Sequence, residues 1–224
     1  MSVKENIQKI LSELKDKKVK LVAVTKTQAV SAIKEAYDAG HKIFGENKAQ
    51  ELAAKREGLP DDIEWHMIGH LQTNKVKMIV PFIKLIQSVD SLHLLKEINK
   101  EAEKIDRIVD CLLQIKIAKE ETKYGLDIAE AVDILQSPEF EKMDFIRIVG
   151  LMGMATLTDD EQIIHSEFKH LHHDFKLIKE RFFRDKSYFK EISLGMSGDY
   201  KIAIEEGSTI IRVGSLIFGE RNYA

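Results

Sequence analysis

Short apolar runs alternate with longer stretches of helical periodicity along this chain. The runs are VKLVAVTK (19–26), HKIFGEN (41–47), IEWHMIGHL (63–71), IKLIQSVD (83–90), IVDCLLQIKIA (108–118), FIRIVGLMGM (145–154), YFKEISLGMS (188–197) and STIIRVGSLIF (208–218), eight in all. Most are apolar throughout rather than alternating, which marks strands covered on both faces. Between them, SAIKEAYDAG and NKAQELAAKREG each stop at a glycine suited to a helix C-terminus, Gly40 and Gly58. SLHLLKEINKEAEK, GLDIAEAVDILQS, DDEQIIHSEFKHLHHDFKLIKERFF and YKIAIEEG complete the helical set, the last ending at Gly207.

Eight strands separated by helices predict an α/β fold, a (β/α)8 TIM barrel closed so that no strand edge is left open. An open doubly wound sheet is the competing arrangement, and it calls for a glycine-rich phosphate loop after the first strand. The chain there reads Thr25-Lys26-Thr27-Gln28. Ahead of the first strand, Ile7, Ile10, Leu11 and Leu14 fall at helical spacing. The expectation is therefore a single barrel domain over residues 1–224 with an extra N-terminal helix.

Composition removes several functional classes. With 34 Lys+Arg against 37 Asp+Glu the net charge is -3, which gives no sequence-wide attraction to nucleic acid or to an acidic membrane. The longest uncharged stretch, Ile148 to Thr158, falls far short of the roughly 20 apolar residues of a membrane helix. A lone Cys111 excludes a disulfide framework, and the charged N-terminus lacks the apolar core of a signal peptide. A cytoplasmic protein is expected, with neither nucleic acid nor membrane as partner, and the charged surface suits a monomer.

In a barrel the carboxyl ends of the strands surround the active site. Here those ends are polar: Lys26, Glu46-Asn47, His70 and Gln72, Ser88 and Asp90, Ser197, and the segment Arg212-Val213-Gly214-Ser215. Lys26 closes the apolar LVAVT. It either points to water just past its strand or lies in the mouth, where desolvation would make its amine a nucleophile for a carbonyl. SLGMSGD and RVGS each set a hydroxyl residue beside glycine, and backbone N–H groups in such turns bind phosphate. A lysine and a phosphate grip across one barrel mouth suggest pyridoxal phosphate.

At this point the chain resembles the pyridoxal phosphate homeostasis proteins, barrels related to the N-terminal domain of alanine racemase. The matching segments are VAVTK (22–26), FGEN with the following QE (44–47, 50–51), WHMIGHLQTNK (65–75), SVD (88–90), GLM (150–152), LGMSGD (194–199) and AIEEGSTIIRVGSLIFG (203–219). The resemblance implies that Lys26 carries pyridoxal 5′-phosphate as a Schiff base. It also implies that Ser197, Gly214 and Ser215 hold the phosphate and that Arg212 faces the pyridine nitrogen. A guanidinium stays protonated at any workable pH, so the ring nitrogen stays unprotonated and the cofactor is a weaker electron sink than when paired with an acid. In related racemases a tyrosine from a second domain serves as the other acid/base. Tyr37, Tyr124, Tyr188, Tyr200 and Tyr223 have no evident claim on that role. The implied function is a carrier and buffer of the cofactor with little or no turnover, handing it to apo-enzymes. The alternative is an amino-acid racemase with Lys26 as its base. A cofactor-free phosphosugar-binding barrel is a more distant reading.

The remaining candidates divide as follows. Asn47 is expected to face the pocket and can at the same time cap the helix that follows it. His66 and His70, four apart on one run, are expected on the same side of the third strand. His66 then either lines the pocket or is a satisfied core histidine. Lys116 stands where relatives carry asparagine, and it faces either the mouth or the outside. A proline common in relatives is missing from GLMGMATLT. His165, His170, His172 and His173 read as a solvated helix face rather than a metal site. Cys111 reads as a buried small hydrophobe, and Lys75, Lys77 and Lys84 form no nucleic-acid stripe.

Overall fold

The computed structural model describes residues 2–118 and 124–219. Helix α1 (Val3–Leu14) leads into β1 (Lys20–Val24), α2 (Val30–Asp38), β2 (Ile43–Glu46), α3 (Ala49–Arg56) and β3 (Glu64–Met67). A 3-10 turn at Thr73–Lys75 and α4 (Val76–Ile79) precede β4 (Leu85–Val89), α5 (Leu92–Glu103) and β5 (Val109–Gln114). Then come α6 (Ile128–Gln136), α7 (Pro138–Glu141), β6 (Ile146–Met152), α8 (Glu161–Phe182), β7 (Glu191–Ser193), α9 (Tyr200–Glu205), β8 (Ile210–Val213) and α10 (Ser215–Phe218). The strands pair in chain order, all parallel, and β8 closes on β1 with Val22 opposite Arg212, giving the expected (β/α)8 barrel.

Each of the eight apolar runs contains its strand, but the last one divides. Strand β8 stops at Val213 and the chain turns at Gly214 into α10. A Cβ at Gly214 would lie 3.3 Å from both Cβ and O of Val24, so a larger residue would have to push β1 aside by a few tenths of an ångström where β8 turns. The four-residue helices α4, α7 and α10 span barely one turn each, too short to leave a periodicity in sequence.

Alternation along the strands makes two cores. Inside the barrel Val22, Leu85, Leu112, Val149, Met152 and Ile210 form a small separate cluster. The larger core fills the layer between strands and helices, with Trp65, Phe44, Phe168 and Phe189 among its largest fully buried side chains. Cys111 is fully buried, and burial pushes its thiol up, as expected of a small hydrophobe. Gly150 of β6 approaches β7 so closely that a Cβ would fall 1.7 Å from the Glu191 carbonyl oxygen.

Helix α1 is set by a capping box. The Glu5 N–H donates to Ser2 Oγ at 3.2 Å, and the Ser2 N–H donates to Glu5 Oε2 at 2.9 Å. Its inner face buries Ile7, Ile10 and Leu14, and Asn6 Nδ2 donates to the Ile217 carbonyl at 3.0 Å, tying α1 to α10. No helix among the described residues is long and apolar enough to cross a membrane.

Candidate functional site

The carboxyl ends of β7, β8, β1 and β2 form one contiguous arc, because these strands are neighbours in the closed sheet. On that arc lie Ser197, Arg212, Gly214, Ser215, Lys26 and Asn47. Ser197 and Gly214 meet directly, the Gly214 N–H donating to Ser197 Oγ at 3.2 Å. Ser215 opens α10, where N–H groups have no carbonyl behind them in the helix. Gly198 beside Ser197 faces open space, with nothing within 4 Å of where a Cβ would sit.

Lys26 is half-buried in the turn after β1. The next residue, Thr27, has φ 65°, a left-handed conformation that a β-branched side chain rarely takes. Its N–H donates to Glu51 Oε1 at 2.6 Å, which holds the strained turn. Lys55 reaches up from α3 and donates to the Thr25 carbonyl at 2.7 Å, Glu46 Oε1 at 2.8 Å and Glu51 Oε1 at 2.6 Å. Burial holds the Glu46 carboxyl above the usual carboxylate range, against the pull of Lys55 and Thr25. Burial also works upward on Glu51, yet Lys55 and the Thr27 N–H hold it below that range. Lys55 carries this network. Nothing in the sequence distinguishes it from other lysines of an amphipathic helix.

Asn47 follows β2 directly. Gly69 lets the loop after β3 press on it, since a Cβ there would fall 2.5 Å from the Asn47 carbonyl oxygen. Asn47 Oδ1 is buried with no hydrogen-bond partner, and it makes no cap to α3. Asn47 thus follows β2 without capping α3, and the capping role expected of it is not made.

Arg212 projects into the barrel and is 4% exposed. Its Nη1 donates to Ser193 Oγ at 2.5 Å and its Nη2 to the Gly153 carbonyl at 2.9 Å, both neutral acceptors. Burial pulls its pKa down to about 10, partly offset by Asp199, so the guanidinium stays charged at neutral pH.

Two expectations change. His66 and His70 do not share a strand, since β3 ends at Met67. His66 is buried among interior side chains, where Gln87 Nε2 lies 2.8 Å from its Nδ1. His70 instead stacks on Tyr124, with centroids 4.0 Å apart, and places Nδ1 2.7 Å from Asp90 Oδ2. His165 and His172 are not simply solvated: they lie 2.8 Å from Glu206 Oε1 and 2.7 Å from the Glu206 carbonyl, fastening α8 to the end of α9. Lys116 is exposed beyond the end of β5. Among the described residues no group of three or more His, Cys, Asp or Glu is placed to hold a metal ion.

The tyrosines also separate. Tyr37 donates to Asp62 at 2.8 Å and Tyr200 to Glu13 at 2.8 Å, while Tyr188 lines a cavity at the amino ends of the strands. Tyr124 is exposed and stacked on His70, and Tyr223 lies outside the described residues.

The same barrel and much of the same sequence recur in known proteins. Residues 1–222 match the family described as alanine racemase, N-terminal domain. A pyridoxal phosphate homeostasis protein of Synechocystis is 38% identical over 208 residues, covering 91% of this chain and 92% of the relative. One from Aquifex aeolicus is 36% identical over 206 residues, covering 91% and 88%. The solved structure of PipY from Synechococcus elongatus with PLP bound superimposes with a TM-score of 0.86 at 32% identity, covering 97% of this chain and 100% of that one. The chain therefore belongs to the pyridoxal phosphate homeostasis protein family, within the wider alanine racemase N-terminal domain family.

Proposed function

We propose that this chain, a single barrel domain over residues 1–224, binds pyridoxal 5′-phosphate at the arc and carries and buffers it with little or no turnover. The observation that carries the reading is Arg212: a buried guanidinium whose hydrogen bonds among the described residues go to the neutral Ser193 Oγ and Gly153 carbonyl, directly beneath the mouth. A buried charge without a partner is costly, and an electron-rich ring nitrogen is a suitable acceptor for its free donors. Three further features fit the same ligand. Asn47 Oδ1 is an orphaned acceptor, Gly198 leaves open space beside Ser197, and the start of α10 offers N–H groups for a phosphate.

When bound, the cofactor supplies an electrophilic aldehyde that an amine can hold reversibly. Lys26, on its strained turn, is the residue for that role. Ser197, Gly214 and Ser215 would take the phosphate, and Asn47 would engage the cofactor's hydroxyl side. Arg212 can donate to the ring nitrogen but, with a pKa of about 10, keeps its own proton at neutral pH. The ring therefore gains no proton from the protein, which restrains proton abstraction at an amino-acid carbon.

The same reading makes the protein a cytoplasmic monomer whose partners are the cofactor and the apo-enzymes that take it up. Purified protein incubated with pyridoxal phosphate is expected to show a visible absorbance band, borohydride should bleach that band while fixing the cofactor onto Lys26, and Lys26→Ala should lack the band. A colourless protein that takes up no cofactor overturns the proposal. Racemisation of a free amino acid well above the rate of cofactor in buffer would establish an enzyme instead.

A further inference from the structure

Beneath the arc, a line of buried polar groups crosses the barrel from β8 to β3. Arg212 Nη1 donates to Ser193 Oγ on β7 at 2.5 Å, and Ser193 Oγ donates to Gln87 Oε1 on β4 at 2.6 Å. Gln87 Nε2 lies 2.8 Å from His66 Nδ1 on β3. Ser193 and Gln87 are fully buried, and Arg212 and His66 are each 4% exposed. The sequence match to the family includes the segments holding His66 and Arg212, but the line between them appears only in the closed barrel.

The arginine fixes the polarity of the whole line. A guanidinium has donors and no acceptor, and a serine hydroxyl has one hydrogen. Ser193 therefore accepts from Arg212 and sends its hydrogen to an acceptor, which must be the amide oxygen of Gln87. That turns the amide nitrogen toward His66, so Nδ1 must accept and the ring proton must sit on Nε2. A proton on Nδ1 would set N–H against N–H and require the amide to flip, which would withdraw the acceptor from Ser193.

Every member after the arginine is neutral. Burial is the main reason that His66 stays so, with Lys20 and Lys84 adding to it, and its pKa falls to about 3. Asp110, Arg147 and Glu191 also line the cavity against His66, but Asp110 is paired to Arg147 at 2.7 Å and Glu191 to Lys20 at 2.6 Å. A carboxylate anywhere in the line would neutralise Arg212. Neutral groups instead aim the guanidinium, and Asp199, outside the line, offsets its charge only in part.

We infer that Ser193, Gln87 and His66 are positioning residues that orient Arg212 and preserve its charge for the ring nitrogen of the bound cofactor. This rests on the proposed cofactor site, and it assigns a role to the barrel interior that the arc alone does not contain.

The test uses two readouts. In the protein without cofactor, 15N NMR of His66 should show a proton on Nε2 and none on Nδ1 at neutral pH, and Gln87→Glu should raise the His66 titration into the neutral range. With pyridoxal phosphate bound, Gln87→Glu should move the pH midpoint of the visible band by about one unit or more. Ser193→Ala, a smaller change, should move it in a protein that folds normally. A purely structural role would lower the melting temperature and leave the midpoint in place. A protonated Nδ1 in the wild type, or midpoints unmoved in both variants, overturns the inference. A wild-type protein that takes up no cofactor overturns the site and this role together, whereas an unmoved midpoint in coloured variants overturns this role alone.

Discussion

The ammonium of Lys55 lies 2.8 Å from Glu46 Oε1, with the Lys55 side chain 9% exposed and that of Glu46 fully buried. One α3 cation thus joins the end of β2 to the turn that carries Lys26, because it also bonds the Thr25 carbonyl and Glu51. Removing one member of a buried ion pair leaves the other charge stranded, at about 3–5 kcal/mol. Lys55→Met should lower stability by that order in urea unfolding. Adding Glu46→Gln should recover part of the loss, and no recovery would show that the pair is not the source of the cost.

His66 gives the protein an acid-sensitive limb. Its folded pKa of about 3 lies below the ordinary histidine value of 6.5, so the unfolded chain binds the extra proton first. The stability is fully present above pH 6.5 and is lost as pH falls toward 3, at about 1.4 kcal/mol per unit of pH. Urea midpoints measured at pH 7 and pH 4.5 should differ by more in the wild type than in His66→Gln. Equal slopes would place the acid sensitivity elsewhere.

Two glycines of the site are expected to behave oppositely. Gly69→Ala puts a methyl 2.5 Å from the Asn47 carbonyl oxygen and should cost about 1–3 kcal/mol while displacing Asn47. Gly198→Ala meets nothing within 4 Å and should leave stability within about 0.5 kcal/mol. If the space by Gly198 receives the phosphate, that variant should nonetheless take up less cofactor. Thermal melts and cofactor titration separate the two effects.

Helix α1 is expected to steady the phosphate end of the arc from behind. Asn6→Ala removes the donor to the Ile217 carbonyl, a loss of about 1 kcal/mol. Amide hydrogen exchange over residues 214–219 should quicken. Unchanged exchange there would mean that α10 is held without α1.

Much of this was legible because it is local. An apolar run of strand length or a stripe at 3.6-residue spacing can be read from adjacent residues, so Val3–Leu14 and all eight strands could be placed in advance. Lys26, Asn47, Ser197, Arg212, Gly214 and Ser215 could be placed for the same reason, since each stands at or near the carboxyl end of a strand. Their closeness then follows from closure, which makes β7, β8, β1 and β2 neighbours.

Which polar groups meet once they leave water depends on the closed barrel. His66 and His70 look equivalent in sequence, yet β3 ends between them and sends one to Gln87 and the other to Asp90. Lys55 and His165 sit on helices among other charged residues, and their partners Glu46 and Glu206 come from other elements. The Arg212–Ser193–Gln87–His66 line joins residues as far apart as Gln87 and Ser193, separated by 106 positions. Hydrophobic periodicity fixes the barrel because burial is roughly proportional to area and indifferent to partner. Hydrogen bonds are directional and short, so the site's network exists only where the closed barrel brings donor to acceptor.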